Sequence, residues 1–398
     1  MKKRYTKLKI ALIALLLLAA AFNIYLYQFY SKLPTLSEQD GATVKQMREL
    51  SGNYFKSRLT DEKEIALYEE MQTALLYRDD DYILTFHDQE TIHKIALFVC
   101  LDSPFLTVSD SYYTVEMSGE SSIKEKWINP TPLPFDLKTS DYYNKMRKAL
   151  AAAEQVIEEM PQTADEYEKA RYLHDYLITH VRYANDTEDL DADTVYGALV
   201  NGRARCEGYS GAYGLLLKLA GMENFEVLYL AQDTQEEAGH IWNMVQVNGN
   251  YYHVDATNDA FNEKDPYPAN YVSYDYFLRT TQDYTKNFPI NALLVHLLPP
   301  ADSVQDSFFN RNGLLFSSYE RESVGKKAGQ FLAAQKKEGV CGVSLRFERK
   351  EDYEKAVNPD ERRYLLGIIS EYDDYDAESF HCFLNQSQQI LRIYPIKK

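Results

Sequence analysis

Two alternating runs meet at Asn248-Gly249, and they constrain the fold more tightly than any other stretch of the chain. His240 to Val247 alternates in character, and Asn250 to Ala256 alternates again. An Asn-Gly pair between such runs predicts a two-residue hairpin turn. The turn pairs Val247 with Asn250, Trp242 with Asp255 and His240 with Thr257. Directly facing residues share a face, as do residues two apart. One face then carries His240, Trp242, Met244 and Gln246 beside Tyr251, His253, Asp255 and Thr257. The other face, with Ile241, Val245, Val247 and Val254, is mostly core. His240 and Asp255 become diagonal neighbours about 7–8 Å apart, within reach of a side-chain hydrogen bond. His253 lies about 13 Å from His240 along the same face. The register therefore selects Asp255, not His253, as the partner of His240. A slip of one residue would put His240 and Asp255 on opposite faces.

Upstream, Gly202-Arg203-Ala204-Arg205-Cys206-Glu207-Gly208-Tyr209-Ser210 leads into an apolar, small-residue run ending at Gly221. The run predicts a buried helix, with Gly211 and Gly214 allowing close approach of a neighbouring backbone. Cys206 falls in the first turn, where free N–H groups and the helix dipole favour a thiolate. Arg203 and Arg205 add to this if they point at the sulfur. A lone buried cysteine is commonly inert. A cysteine at a helix start, a histidine opening one strand and an aspartate closing the next are the order that a thiol nucleophile, its base and the base's orienter need.

These segments resemble the core of the transglutaminase-like superfamily. The resemblance rests on the Cys206 motif, on His240-Ile241-Trp242-Asn243, on Tyr251-Tyr252-His253-Val254-Asp255-Ala256-Thr257 and on Tyr196-Gly197-Ala198-Leu199-Val200-Asn201 upstream. It covers about residues 165–260. It implies an α+β, papain-like fold, in which the helix bearing the cysteine packs on an antiparallel sheet bearing histidine and aspartate. It also implies a Cys206-His240-Asp255 triad. Ala256 stands where many members carry proline, and Asn258 where tryptophan is frequent. In such a triad Cys206 attacks a glutamine or peptide amide, and the thioester passes to an amine or to water. The Cys206 N–H is the natural oxyanion donor. Asn201 and Tyr196 are candidate side-chain donors, and Trp242 is expected to wall the site.

Two other readings compete. One is a catalytically silent cell-surface binding protein that keeps the fold. The other is a metal site built from Cys206, His240, Asp255 and His253. The hairpin distances and the lack of a Cys-x-x-Cys pair count against the metal, so neither metal nor cofactor is expected. Asn185 to Asp193 resembles a calcium loop in charge only, without the sixth-place glycine and the late glutamate.

The chain has 398 residues, enough for several domains. The reading gives a signal-anchor or signal peptide over 1–30, a mixed α/β module over 31–135, a catalytic domain over 136–289 and an α/β module over 290–398. Five basic residues precede the apolar run from Ile10 to about Tyr27, which predicts a single-pass anchor with the body outside the cytoplasm. Ala19-Ala20-Ala21 offers the alternative of signal cleavage and secretion. After the first 30 residues the net charge is about −22, which argues against nucleic acid or anionic headgroups. The expected partners are a protein or peptide substrate, at the cell envelope if the body is exported, and the membrane through the N-terminal segment. Nothing sets an oligomeric state. The 33 tyrosines are read mainly as packing residues. Of Cys100, Cys206, Cys341 and Cys382, a free Cys206 leaves at most one disulfide, with Cys341 and Cys382 able to pair.

Along the chain, Ser31 to Gly41 reads as a linker. Helices are expected over 62–76, 91–100, 142–160, 163–180, 322–337, 351–357 and 362–372. Strands are expected over 82–87, 112–117, 314–317, 341–348, 380–384 and 390–394, and a proline-rich boundary at 129–136. His174 and His180 read as packing or surface histidines.

Overall fold

The computed structural model describes residues 35–78, 88–108, 116–117, 123–124, 139–186, 188–229, 239–260, 272–286, 288–335, 342–372 and 379–396. The expected N-terminal span, the strand at 82–87, most of that at 112–117, the boundary at 129–136 and Cys341 lie outside these residues. Among the described residues no helix is long and apolar enough to cross a membrane.

Three helices come first: α1 (Glu38–Leu50), α2 (Glu62–Tyr77) and α3 (Gln89–Leu101). The sequence reading placed the start of α1 in a linker. Ser37 begins the helix instead, its side chain accepting from the Asp40 N–H, and Val44 and Met47 bury its inner face. A short pair, β1 (Glu116–Met117) and β2 (Ile123–Lys124), precedes α4 (Thr139–Glu159) and α5 (Glu166–His180). A capping box between Asp165 and Glu168 fixes the start of α5.

The central unit follows. β3 (Arg182–Tyr183) pairs in parallel with β4 (Arg203–Ala204), and the short α6 (Val195–Leu199) lies between them. α7 (Cys206–Leu219) then leads into an antiparallel sheet of β5 (Asn224–Tyr229), β6 (His240–Val247) and β7 (Asn250–Val254) with β6 in the middle. The hairpin register is the expected one, from Val247 opposite Asn250 to Asn243 opposite Val254. Asn248 and Gly249 both have positive φ, 52° and 80°, as a primed hairpin turn requires.

Two details differ from the sequence reading. β7 stops at Val254, so the expected Trp242–Asp255 and His240–Thr257 pairs are not part of the ladder. Asp255 instead caps a one-turn helix, α8 (Ala256–Asp259), accepting the Asn258 N–H at 3.0 Å. Both sheet faces are also covered. α7 lies on the Asn243 face, where the Asn243 amide donates to the Ser210 carbonyl at 3.1 Å. A Cβ on Gly211 would lie 2.9 Å from the Pro104 carbonyl oxygen, the close backbone approach expected there, whereas Gly214 faces the Asn224 and Asn243 side chains instead. The segment after α8 covers the other face and includes α9 (Thr281–Tyr284). There Tyr284 packs 4.5 Å from Trp242 and 5.2 Å from His253.

The last unit adds α10 (Phe308–Arg311), β8 (Leu315–Phe316), α11 (Arg321–Gln335), β9 (Val343–Phe347), α12 (Lys350–Ala356), α13 (Pro359–Tyr372), β10 (Ser379–Asn385) and β11 (Ile390–Ile396). Its sheet runs β10-β11-β9-β8. One hydrophobic core runs from Val44 through the central sheet to Ile393.

Candidate active site

Cys206 opens α7, and its approach is set by a tight turn of backbone. Arg205 donates its N–H to the Ala192 carbonyl at 2.7 Å, and β4 is held by β3. Gly208 makes this possible: a Cβ there would lie 2.4 Å from the Ala192 carbonyl oxygen and 2.9 Å from the Ala204 Cβ. Gly208→Ala is expected to destabilise the protein by about 1–3 kcal/mol through overpacking against rigid backbone. Its Cys206 should also alkylate more slowly than that of an exposed-site control. Chemical denaturation and iodoacetamide kinetics measure the two effects.

The arginines beside Cys206 do not serve the sulfur as the sequence suggested. Arg203 is exposed. Arg205 turns away and binds Asp193 through Nε at 2.7 Å and Nη2 at 2.5 Å, with further bonds to the Asp186 and Asp189 carbonyls. The acidic loop therefore works as a latch on the base of α7. Asp191 is likewise held, by Lys145 at 2.7 Å.

His240 opens β6 and donates from Nε2 to Asp255 Oδ2 at 2.8 Å. Asp255 is fully buried, and the His240 side chain is 12% exposed. The Cys206 thiol acts on the same imidazole electrostatically, and with Nε2 bound to Asp255 the ring has Nδ1 left for it. Burial favours a neutral ring, but the Asp255 charge, its hydrogen bond and Cys206 outweigh this and raise the His240 pKa to about 10. Burial also opposes ionisation of Asp255. The His240 charge and the hydrogen bonds from His240, Tyr284 and Asn258 win, and hold its carboxyl below the ordinary range.

Three donors converge on Asp255 besides His240. Tyr284 Oη donates to Oδ2 at 2.6 Å, Asn258 Nδ2 to the same oxygen at 2.5 Å, and the Asn258 N–H to Oδ1. The Asp255 N–H is fixed as well, donating to the Tyr276 carbonyl at 3.1 Å. Asn258 Nδ2 lies 3.1 Å from His240 Nε2, and with both nitrogens protonated that approach is packing rather than a bond.

Trp242, expected as a wall of the site, is 1% exposed and lies beneath it. Its ring stacks 5.9 Å from His240, and its Nε1 donates to His253 Nδ1 at 2.9 Å. His253 is buried, and burial lowers its pKa to about 3. As a neutral ring it accepts at Nδ1 and donates from Nε2 to Thr281 Oγ1 at 3.0 Å. It is thus a core histidine; the register sets it on the His240 face and excludes it only as the partner of His240. Tyr196 and Asn201 sit at the end of the neighbouring turn. The Asn201 N–H donates to the Tyr196 carbonyl, the Asn201 side chain is exposed, and Lys145 lies 5.3 Å over the Tyr196 ring.

Sequence reasoning missed four site residues: Tyr183, Asn258 and Tyr284 as contacts, and His174. Tyr183 pairs with Ala204, two residues before the sulfur, and burial together with Cys206 raises its phenol above the ordinary range. Its only sequence signal was its place in the short segment after α5.

His174 is 0% exposed and lies between two carboxylates, 3.1 Å from Asp175 and 3.3 Å from Asp259. Asp259 also takes the Ser273 hydroxyl and the Tyr276 N–H, so this pair ties α5 to the end of α8. His180, by contrast, is exposed and stacks on Tyr176. Burial opposes the charge of His174, but bonds to Asp175 and Asp259 raise its pKa to about 9. A pKa above the unfolded value stabilises the fold fully below about pH 6.5 and is lost as pH rises through about 9. His174→Gln is expected to lose on the order of 3 kcal/mol at pH 6. The gap from the parent protein should narrow above pH 9, as read by urea unfolding at both pH values.

Residues 154–256 match the model of the Transglutaminase-like superfamily. No curated protein matches the chain. A solved structure described as that of a TGase is similar at 12% identity and a TM-score of 0.27, over 47% of this chain and 52% of that one. A candidate cysteine protease from Cytophaga hutchinsonii is similar at 14% identity and a TM-score of 0.24, over 31% of this chain and 45% of that one. The chain thus spans about half the length of each. Residues 154–256, which hold the Cys206 helix and the antiparallel sheet that carries His240, are thus similar to the core of the transglutaminase-like superfamily.

Proposed function

We propose that the protein is a thiol enzyme acting on glutamine side-chain or peptide amides through a thioester at Cys206. The observation that carries this reading is the buried His240–Asp255 pair, bonded at 2.8 Å with the Cys206 thiol acting on the same ring. Cys206 Sγ gives its proton to His240 and attacks the amide carbon, forming the S–C bond. The carbonyl oxygen takes the electron pair and is met by the Cys206 backbone N–H. The oxyanion collapses, the C–N bond breaks, and His240 returns the proton to the departing ammonia or amine. Water or a second amine then attacks the thioester, loses a proton to His240 and releases Cys206. Asp255 keeps the imidazole aligned and balances its charge in both halves.

The basic start and apolar run of residues 2–27 support a body held outside the cytoplasm, where its substrates would be envelope proteins or peptides. The test is incubation of the full-length protein with a glutamine peptide and a labelled primary amine, followed by mass analysis. Amine addition identifies a transamidase, a one-dalton gain a deamidase, and backbone cleavage a peptidase. An unchanged peptide, with Cys206 no more reactive than free cysteine, overturns the proposal and favours a silent binding module.

A further inference from the structure

Two Asp-Tyr steps in the segment after α8 have the same construction. In each, the aspartate is bound by an arginine of the C-terminal sheet and the following tyrosine holds Asp255. Asp275 accepts Arg392 Nε at 3.0 Å and Nη2 at 2.6 Å, a two-pronged bond, and also Asn385 Nδ2 at 2.7 Å. Its neighbour Tyr276 supplies the carbonyl that fixes the Asp255 N–H. Asp283 is bound by Arg346, and its carbonyl accepts Gln388 Nε2 at 3.3 Å. Its neighbour Tyr284 donates to the Asp255 carboxylate.

The C-terminal sheet is built for this contact. Arg346 faces Ile390, and Arg392 faces Ser344, so both arginines project from one face of paired strands β9 and β11. Val343, Leu345, Phe347, Leu391 and Ile393 form the opposite face, and α11 and α12 pack against this sheet. Both arginines are 4% exposed and Asp275 is fully buried. Arg279 reinforces the second step: its guanidinium lies 3.7 Å from Asp283, and its backbone pairs with His253 in both directions. Arg279 and Arg346 keep Asp283 well below the ordinary carboxylate range against its burial.

We infer that Arg346 and Arg392 are positioning residues for the active site: through the Asp283-Tyr284 and Asp275-Tyr276 steps, the C-terminal unit sets the place and hydrogen bonding of Asp255. This rests on the proposed function only in taking Asp255 as the orienter of His240. The Arg392–Asp275 pair is forked, and lysine cannot reproduce that fork. Arg346 reaches Asp283 through Nη2, a buried bond that a shorter-reaching lysine cannot place in the same way. A lysine at either position keeps the charge but lets the step move. An Asp255 that has moved interacts less with His240, and the thiol loses its charged partner.

The groups facing His240 are Asp255, Cys206, the Tyr229 directly opposite it on β5 and, behind Asp255, the Tyr284 phenol; Trp242, Phe288 and Asn258 are uncharged. The test is the Arg346→Lys/Arg392→Lys double variant of the full-length chain. Its readouts are the His240 titration, followed by carbon-13 NMR of labelled histidine, and iodoacetamide alkylation of Cys206 against pH. The midpoint is expected to fall by about one pH unit and alkylation at pH 7 by about tenfold, with circular dichroism unchanged. Tyr284→Phe, which leaves both arginine pairs intact, should shift the midpoint the same way. A folded double variant with an unmoved midpoint overturns the inference. If the double variant does not fold, the single Arg392→Lys variant decides by the same readouts.

Neither readout needs a substrate. A shifted midpoint in a protein with no amide chemistry would overturn the proposed function and leave the clamp standing. An unmoved midpoint in an active enzyme would overturn the clamp alone.

Discussion

Replacing Cys206 with alanine is expected to remove all thioester formation and lower amide turnover by on the order of 10⁶-fold. The substitution is sterically mild, because alanine is smaller, fits the first turn of α7 and is a good helix former. Stability should therefore change little while chemistry disappears. An electrophilic amide probe followed by intact-mass measurement reads the covalent adduct directly, and a thermal melt reads the fold. Persistent labelling of the Cys206→Ala protein would place the nucleophile elsewhere, since Cys382 and other thiols would then carry the adduct. Substrate binding should survive, because the helix and sheet are untouched.

The second large effect is expected at Asp255. Asp255→Asn keeps the shape but removes the negative charge that His240 needs when it holds the proton of Cys206. The expected loss is about 10⁴-fold in kcat, with KM nearly unchanged. An asparagine cannot satisfy this position. Four donors converge on the carboxylate from His240, Tyr284, Asn258 and the Asn258 backbone. An amide turned either way presents its own N–H₂ to at least one of them. The His240 titration should fall from about 10 toward its ordinary value. The pH–rate profile checks this: the parent should hold its ion pair across neutral pH, and the variant should lose it. A parent-like profile and rate in Asp255→Asn would remove Asp255 from the mechanism and return attention to His174 and Asp259.

Much of the site was legible in the chain because its decisive geometry is local. Asn248-Gly249 admits few turn types, and the alternation on either side leaves one register that buries the apolar set. That register brought the end of β7 alongside β6, so that Asp255, the next residue, falls within reach of His240. The glycines after Cys206 likewise announced close packing. Where reading failed, a contact outside the alternating pattern won. Alternation carried β7 on to Ala256, but Asp255 is a better helix cap than a strand residue once Asn258 can donate to it. Arg205 looked like an activator of the sulfur because only its distance along the chain was visible. Its real partner, Asp193, lies across a loop. Ser31 to Gly41 looked like a linker because polar residues dominate it. The contacts that make α1 a helix bury Val44 and Met47 against the rest of the core.

His174 shows the same limit. A single histidine on an amphipathic helix reads as packing, and it is buried. What the pattern could not disclose is the carboxylate of Asp259, 85 residues away, that makes it a charged tie.

The sequence by itself determined the hairpin register from Val247–Asn250 to Asn243–Val254 and the helix start at Cys206, because turn chemistry and side-chain period act over a few residues. Only the tertiary structure decided what holds Asp255 still: Tyr276 and Tyr284, each one residue beyond an aspartate bound by the C-terminal sheet. Those bonds join residues more than 100 positions apart for Arg392 and Asn385. No periodicity links such positions, and they meet only because one core packs the two units together.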